Sequence, residues 1–203
     1  MTAWEFSTTT AEATQHLAGN LATLLQAGDL IVLSGELGAG KTTFTQGLGS
    51  SLGVRAGIIS PTFVLVRIHP NLPDGPRPGG PDLVHVDAYR LGSAAEIDDI
   101  DLENTMDSAV TVVEWGADRV EHLADSRLEI DLLRATGSAT LAQGPWRVPA
   151  SPLPGNNPED GTGTFDLADD DEDEPRILRL RAIGPRWAGI DFSGLDRPGE
   201  PTE

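Results

Sequence analysis

The chain has 203 residues, with 32 acidic against 14 basic side chains, a formal charge of −18 and no cysteine. That length predicts one domain, two at most, and the missing cysteines exclude disulfides, thiolate metal sites and thiol nucleophiles, while His16, His69, His85 and His122 lack the spacing of zinc ligands. No apolar run reaches the roughly 18 residues of a membrane span and no signal-peptide order opens the chain, so the expectation is a cytoplasmic protein with no membrane contact; a pI near 4.4 argues against strong direct nucleic-acid binding.

The first helix is signalled by Thr9-Thr10-Ala11-Glu12, where a Thr N-cap with Glu three residues on makes a capping box, and by Leu17, Leu21, Leu24 and Leu25 at helical spacing before Gly28. Leu30 to Leu33 is a short continuous apolar run, the pattern of a strand covered on both faces. A glycine-rich turn follows from Gly35. Beyond it, Phe44, Leu48 and Leu52 fall four apart up to Gly53, which predicts a second helix. Phe63 to Ile68 and Leu83 to Val86 read as a long-looped antiparallel hairpin around the breaker-rich stretch 69–82. Ser93-Ala94-Ala95-Glu96 opens another helix with capping-box chemistry, and Val110 to Val113 is a further buried strand running into Glu114-Trp115.

Leu128 to Leu132 and Ile177 to Leu180 alternate with period two, as half-exposed strands do. Between them lies a stretch with no basic residue from Arg147 to Arg176 but nine acids, half of the net charge. Segment 136–174 is too poor in large apolar residues to offset the entropy of ordering and reads as a disordered acidic insertion, an overgrown hairpin loop. Residues 188–203 read as a flexible C-terminal tail that frays from Arg197 onward. With the G-x-x-x-x-G-K-[ST] pattern over Gly35 to Thr42 added to these elements, the whole predicts a single α/β domain over 1–187 with the three-layer P-loop NTPase fold and a mixed central sheet.

Gly35-Glu36-Leu37-Gly38-Ala39-Gly40-Lys41-Thr42 satisfies G-x-x-x-x-G-K-[ST] at every fixed position, between a predicted strand and a predicted helix. The glycines let successive backbone N–H groups face one anion, and the following helix N-terminus adds partial positive charge. Lys41 would bridge the β- and γ-phosphates and the Thr42 hydroxyl would hold Mg²⁺, with Thr43 at the edge of the cradle. Of the 14 basic residues, 13 are Arg and Lys41 is the single Lys, at the position where a compact ammonium fits between phosphate oxygens and a planar guanidinium would crowd them. With no second lysine for an Asn-Lys-x-Asp guanine-binding element, ATP is favoured over GTP.

Four further stretches accompany this loop: Ser60-Pro61-Thr62-Phe63, His85-Val86-Asp87-Ala88-Tyr89-Arg90, Val112-Val113-Glu114-Trp115, and the strand near Arg176. In this order around GELGAGKTT they resemble the bacterial TsaE family, small ATPases needed to make N6-threonylcarbamoyladenosine in tRNA. The likeness covers most of 5–135 and resumes near 175–187. It implies a Mg-dependent ATPase, slow without its partners TsaD and TsaB, with Glu114 as a Mg²⁺ ligand, and Asp87 polarising the attacking water or holding the metal through water. It also implies that the base lies against the segment around Thr10 and the backbone near Arg176.

Both acids end apolar strands, where a P-loop protein places such groups near Mg²⁺. Ser60 and Thr62 read equally as a γ-phosphate switch or as a plain turn. Trp115 packs beside the nucleotide or fills the core, the usual place for a lone Trp. Arg90 pairs with an acid or stabilises charge in the transition state. Two rivals share the P-loop: a small-molecule or nucleoside kinase, and a subunit whose nucleotide-bound state, not turnover, matters.

Overall fold

The computed structural model describes residues 2–134 and 175–197, so the acidic insertion expected over 136–174 lies outside the described residues. Seven strands form one sheet in the order β1-β7-β6-β2-β5-β4-β3. They are β1 (Thr2–Thr8), β2 (Leu30–Ser34), β3 (Val66–His69), β4 (Asp82–Asp87), β5 (Ala109–Glu114), β6 (Arg127–Arg134) and β7 (Arg176–Ile183). The centre is parallel, β6-β2-β5-β4, and the two flanks are antiparallel: β3 on β4, and β7 on β6 followed by β1 on β7. The mixed sheet expected from sequence is borne out. No helix among the described residues is long and apolar enough to cross a membrane.

Helices cover both faces. Helix α1 (Ala11–Ala22) and helix α2 (Lys41–Leu52) lie on one, burying Leu17, Leu21, Phe44, Leu48 and Leu52 against Ile31, Leu33, Val112 and Ile130. The other face carries the short helices α3 (Ala94–Asp98) and α4 (Glu103–Met106), whose Ile97 and Met106 pack with Leu30, Val32, Val84, Val86 and Val113. Buried on both sides, the central strands need apolar residues at consecutive positions, which is why β2 reads as a run and not as an alternation. α1 and α2 approach closely because position 47 is glycine: a Cβ there would collide with the backbone of Gln15.

Several expectations shift in detail. Thr10, not Thr9, caps α1, accepting from the Ala13 N–H at 3.1 Å, so the expected pairing with Glu12 is displaced by one residue. Ser93 does cap α3, and the Glu96 carboxylate reaches back to the Gly92 N–H. Phe63 to Leu65 form a turn and not the start of a strand; Phe63 is 86% exposed and Leu65 has φ of +65°. β1 was not expected at all, although Trp4, Phe6 and Thr8 alternate along it.

The tail is the largest correction. Residues 188–197 do not fray: Phe192 is 0% exposed, packs edge-on against Trp4 at 4.9 Å and sits beside Trp187, while Leu195 is buried in the same core. Asn20 holds this segment to α1 by donating to the Leu195 carbonyl at 2.8 Å. Residues 198–203 lie outside the described residues.

The breaker-rich loop is a capping device. Arg77 donates to the Ala22 carbonyl at the end of α1 and to the Leu25 carbonyl just beyond it, at 3.1 and 2.9 Å, and Asn71 Nδ2 donates to the Leu52 carbonyl at the end of α2. Arg77→Ala is expected to lower stability by about 1–2 kcal/mol, read by chemical unfolding.

On β6 and β7 an ion ladder runs from Arg127 to Glu129 (2.9 Å), to Arg181 (2.7 Å) and on to Asp131 (4.0 Å). Burial pushes the Asp131 carboxyl up to about 6, Arg181 pulls it partly back, and Glu129 adds to the rise. Between 3.8 and about 6 the folded chain therefore binds more protons at this site than the unfolded chain, and the contribution to stability falls as pH rises through that window. Asp131→Asn is expected to remove this slope and to raise stability above pH 7, measurable from melting temperatures across pH 4–8.

Candidate nucleotide site

The site forms at the C-terminal ends of the parallel strands, where such sheets place their ligands. β2 ends at Ser34 and the chain turns through residues 35–40 into α2. Gly35, Gly38 and Gly40 have φ of +146°, +77° and +99°, conformations that a side chain would strain. A Cβ on Gly35 would collide with the Leu132 carbonyl of β6, so the first glycine is also required for close packing on the sheet. Ala39 is buried, whereas Glu36, Leu37 and Gly38 line the open rim, with Leu37 87% exposed.

Lys41, the first residue of α2, is buried and donates to the Gly35 and Glu36 carbonyls at 2.8 and 2.9 Å. Its ammonium lies 3.8 Å from the centroid of the Trp115 ring. Trp115 is therefore not core filling, the place expected for a lone Trp. It is half-buried, held at φ +62° by the turn that leaves β5, with Tyr89 edge-on at 5.3 Å. Burial brings the Lys41 ammonium down to about 8, against an upward pull from Glu114 and Asp87. A cation kept partly desolvated beside backbone amides is poised to gain from an incoming anion.

The two acids expected to work together are brought together. Asp87 and Glu114 end β4 and β5 as register partners, and Leu33 of β2 pairs with Glu114 on its other side. Glu114 Oε1 accepts from the Thr42 hydroxyl at 3.0 Å and from His85 Nε2 at 2.8 Å. Asp87 Oδ2 accepts from the Ser60 and Thr62 hydroxyls at 2.8 and 2.6 Å, and its Oδ1 from the Tyr89 N–H at 2.9 Å. Ser60 and Thr62 thus do more than turn the chain: they clip the loop after α2 onto the end of β4. Thr43 follows Thr42 on α2, half-buried. Arg90 leans on the Phe63 ring at 4.9 Å.

Thr10 and Arg176 stand apart from this cluster. Thr10 Oγ1 is engaged in capping α1, and Arg176, buried at the start of β7, pairs in register with Thr8 on one side and Arg134 on the other. They occupy the same end of the sheet as the glycine loop, on its β1 side. Sequence reasoning missed Arg134, the last residue of β6, whose guanidinium passes 3.5 Å from where a side chain on Gly38 would begin. It also left His85 without a role; a histidine inside the apolar run Leu83 to Val86 was the available signal.

Among the described residues no group of three or more His, Asp or Glu forms a metal cage. One hydroxyl and one carboxylate in contact, Thr42 and Glu114, nonetheless suit Mg²⁺, which takes few protein ligands and completes its shell with water and phosphate oxygens.

Comparison with known proteins agrees with this geometry. The model of the family described as threonylcarbamoyl adenosine biosynthesis protein TsaE matches residues 8–141. The tRNA threonylcarbamoyladenosine biosynthesis protein TsaE of Streptomyces coelicolor is 43% identical over 182 residues, 89% of this chain and 98% of that one. Its Bacillus subtilis counterpart is 36% identical over 132 residues, 64% of this chain and 78% of that one. The crystal structure of YdiB from Bacillus subtilis shares the fold with a TM-score of 0.56 at 25% identity, covering 90% of this chain and 87% of that one. With the family model spanning the glycine loop, both acids and β6, and one relative aligned almost end to end, the chain belongs to the TsaE family.

Proposed function

We propose that this protein binds and hydrolyses MgATP in the cytoplasm as the ATPase subunit required for threonylcarbamoyladenosine modification of tRNA, acting with TsaD and TsaB. The observation that carries the reading is the contact of Thr42 with Glu114 beside the buried Lys41 at the mouth of the glycine loop. That is the arrangement in which a P-loop protein handles a nucleoside triphosphate.

In this reading the N–H groups of residues 35–43 and the Lys41 ammonium take the phosphates, exchanging the Gly35 and Glu36 carbonyls for phosphate oxygens. Thr42 and Glu114 are the groups that would hold Mg²⁺. The chemistry a bound Mg²⁺ supplies is neutralisation of charge on the phosphate oxygens. Asp87, held by three hydrogen bonds, orients the attacking water, and Trp115 walls the site beside Lys41. Thr10 and Arg176 border the base. Catalysis is positioning plus fixed electrostatics, and turnover is slow until a partner protein orders the loop at Ser60 and Thr62.

The test is reconstitution of threonylcarbamoyladenosine on tRNA with TsaD and TsaB, with and without this chain and ATP. Formation that requires both supports the assignment. Modification that continues with Thr42→Ala and Glu114→Gln variants that bind but do not hydrolyse ATP would favour a binding subunit. A phosphorylated nucleoside with no phosphate release would favour a kinase.

A further inference from the structure

His85 is an imidazole set between Leu83, Val84 and Val86 along β4, with Arg67 of β3 as its register partner and the His69 ring 6.5 Å away, and it is 0% exposed. A buried polar ring destabilises unless it is hydrogen-bonded, so its partner identifies its use. That partner is Glu114 Oε1, 2.8 Å from Nε2. His85 lies two residues before Asp87 on β4, so both side chains fall on one face of the sheet, and the Glu114 side chain meets His85 across the β4–β5 pairing. Oε1 takes a second donor, the hydroxyl of Thr42. Thr42 is half-buried and reaches the carboxylate from the mouth of the site, whereas the imidazole reaches it from the interior. A carboxylate oxygen accepts in such a contact, which assigns the hydrogen to Nε2; Nδ1 has no hydrogen-bond partner among the described residues.

We propose that His85 is a positioning residue: its Nε2–H fixes the Glu114 carboxylate against Thr42 and so presets the one acid and one hydroxyl that receive the divalent cation. This rests on the reading of the site as a MgATP site. The need for such a device follows from the small ligand set. A Glu side chain turns about three bonds, and Thr42 and His85 are the two donors that hold its carboxylate among the described residues. Thr42 alone would not suffice, because a hydroxyl that offers its oxygen to a cation keeps its proton free to swing. Hydrogen-bond partners of metal-binding carboxylates are worth roughly 10–100-fold in metal affinity.

The test compares wild type, His85→Leu and His85→Gln for binding of a non-hydrolysable ATP analogue by calorimetry, with Mg²⁺ and with EDTA. Leu fills space without a donor; Gln restores an N–H. Affinity in EDTA is expected to be unchanged in all three, because the glycine loop and Lys41 are untouched. The gain in affinity on adding Mg²⁺ is expected to shrink by roughly 10-fold in His85→Leu and to recover in His85→Gln. A full Mg²⁺ gain in His85→Leu, or an equal loss in both variants, would overturn the proposal. Imidazole ¹⁵N spectra of the nucleotide-free wild type give a second readout that needs no variant at position 85. Hydrogen on Nε2, with a resonance displaced by Glu114→Gln, is expected, and a ring with hydrogen on Nδ1 and none on Nε2 would overturn the proposal even if His85→Leu failed to fold. Wild type that bound no nucleotide would refute the functional reading separately, with the imidazole spectrum still deciding whether His85 holds Glu114.

Discussion

Lys41→Ala is expected to weaken ATP binding by about 100-fold or more, because several charge-assisted contacts to phosphate disappear together. The nucleotide-free protein should tell the opposite story. Its ammonium is held down to about 8 by burial, so in the empty site the lysine carries a desolvation cost that its two carbonyl contacts and the Trp115 ring only partly offset. Removing it should leave the melting temperature of the free protein nearly unchanged or slightly raised, while abolishing the upward shift that MgATP gives the wild type. A thermal-shift series with and without MgATP reads both outcomes. A variant that melts lower in the free state yet keeps its ATP shift would mean that Lys41 is a structural residue and the glycine loop is not the phosphate site.

Glu114→Ala should fail on two counts at once. The carboxylate is the acceptor for Thr42 and for the fully buried His85, so truncation strands an interior N–H and is expected to cost about 2–4 kcal/mol of stability. It should also lower ATP hydrolysis by about 100-fold or more, since one of the two groups that would hold Mg²⁺ at the phosphates is lost. Glu114→Gln separates the two effects. Its amide oxygen still accepts from His85 and Thr42, so stability should be largely retained while hydrolysis stays low. Unfolding curves and phosphate release on the same pair of variants distinguish a residue that only supports the fold from one that also acts on the ligand.

What could be read from the sequence, and what could not, follows the range of the interactions involved. The glycine loop was legible because its chemistry is local: eight consecutive residues, a strand before and a helix after, with the dihedral demands written as glycines. Asp87 and Glu114 were legible as acids ending apolar strands, but that they are register neighbours depends on β4 and β5 pairing in parallel across an intervening pair of short helices. His85 and Arg134 gained meaning only from such non-local pairing. His85 needs β5 beside β4 to reach Glu114, and Arg134 needs β6 beside β2 to reach Gly38. β1 and the 188–197 segment were lost for a related reason. Each offers two or three large apolar residues among polar or breaker residues, and they become core only by meeting each other, Trp4 against Phe192. The stretch 69–82 is rich in residues that end regular structure, which says nothing of Arg77, whose acceptors lie at the end of α1 and just beyond it, some fifty positions earlier.

The claim on which the rest depends is that this glycine loop hydrolyses ATP and that partners govern the rate. The direct measurement is phosphate release from MgATP by the full chain, alone and with TsaD, TsaB and tRNA, beside Lys41→Ala and Glu114→Gln controls. The expected result is slow release by the chain alone, a marked rise with the partners, and loss of both rates in either variant. Release that stays at background in every combination, or that proceeds undiminished in Lys41→Ala, would contradict it.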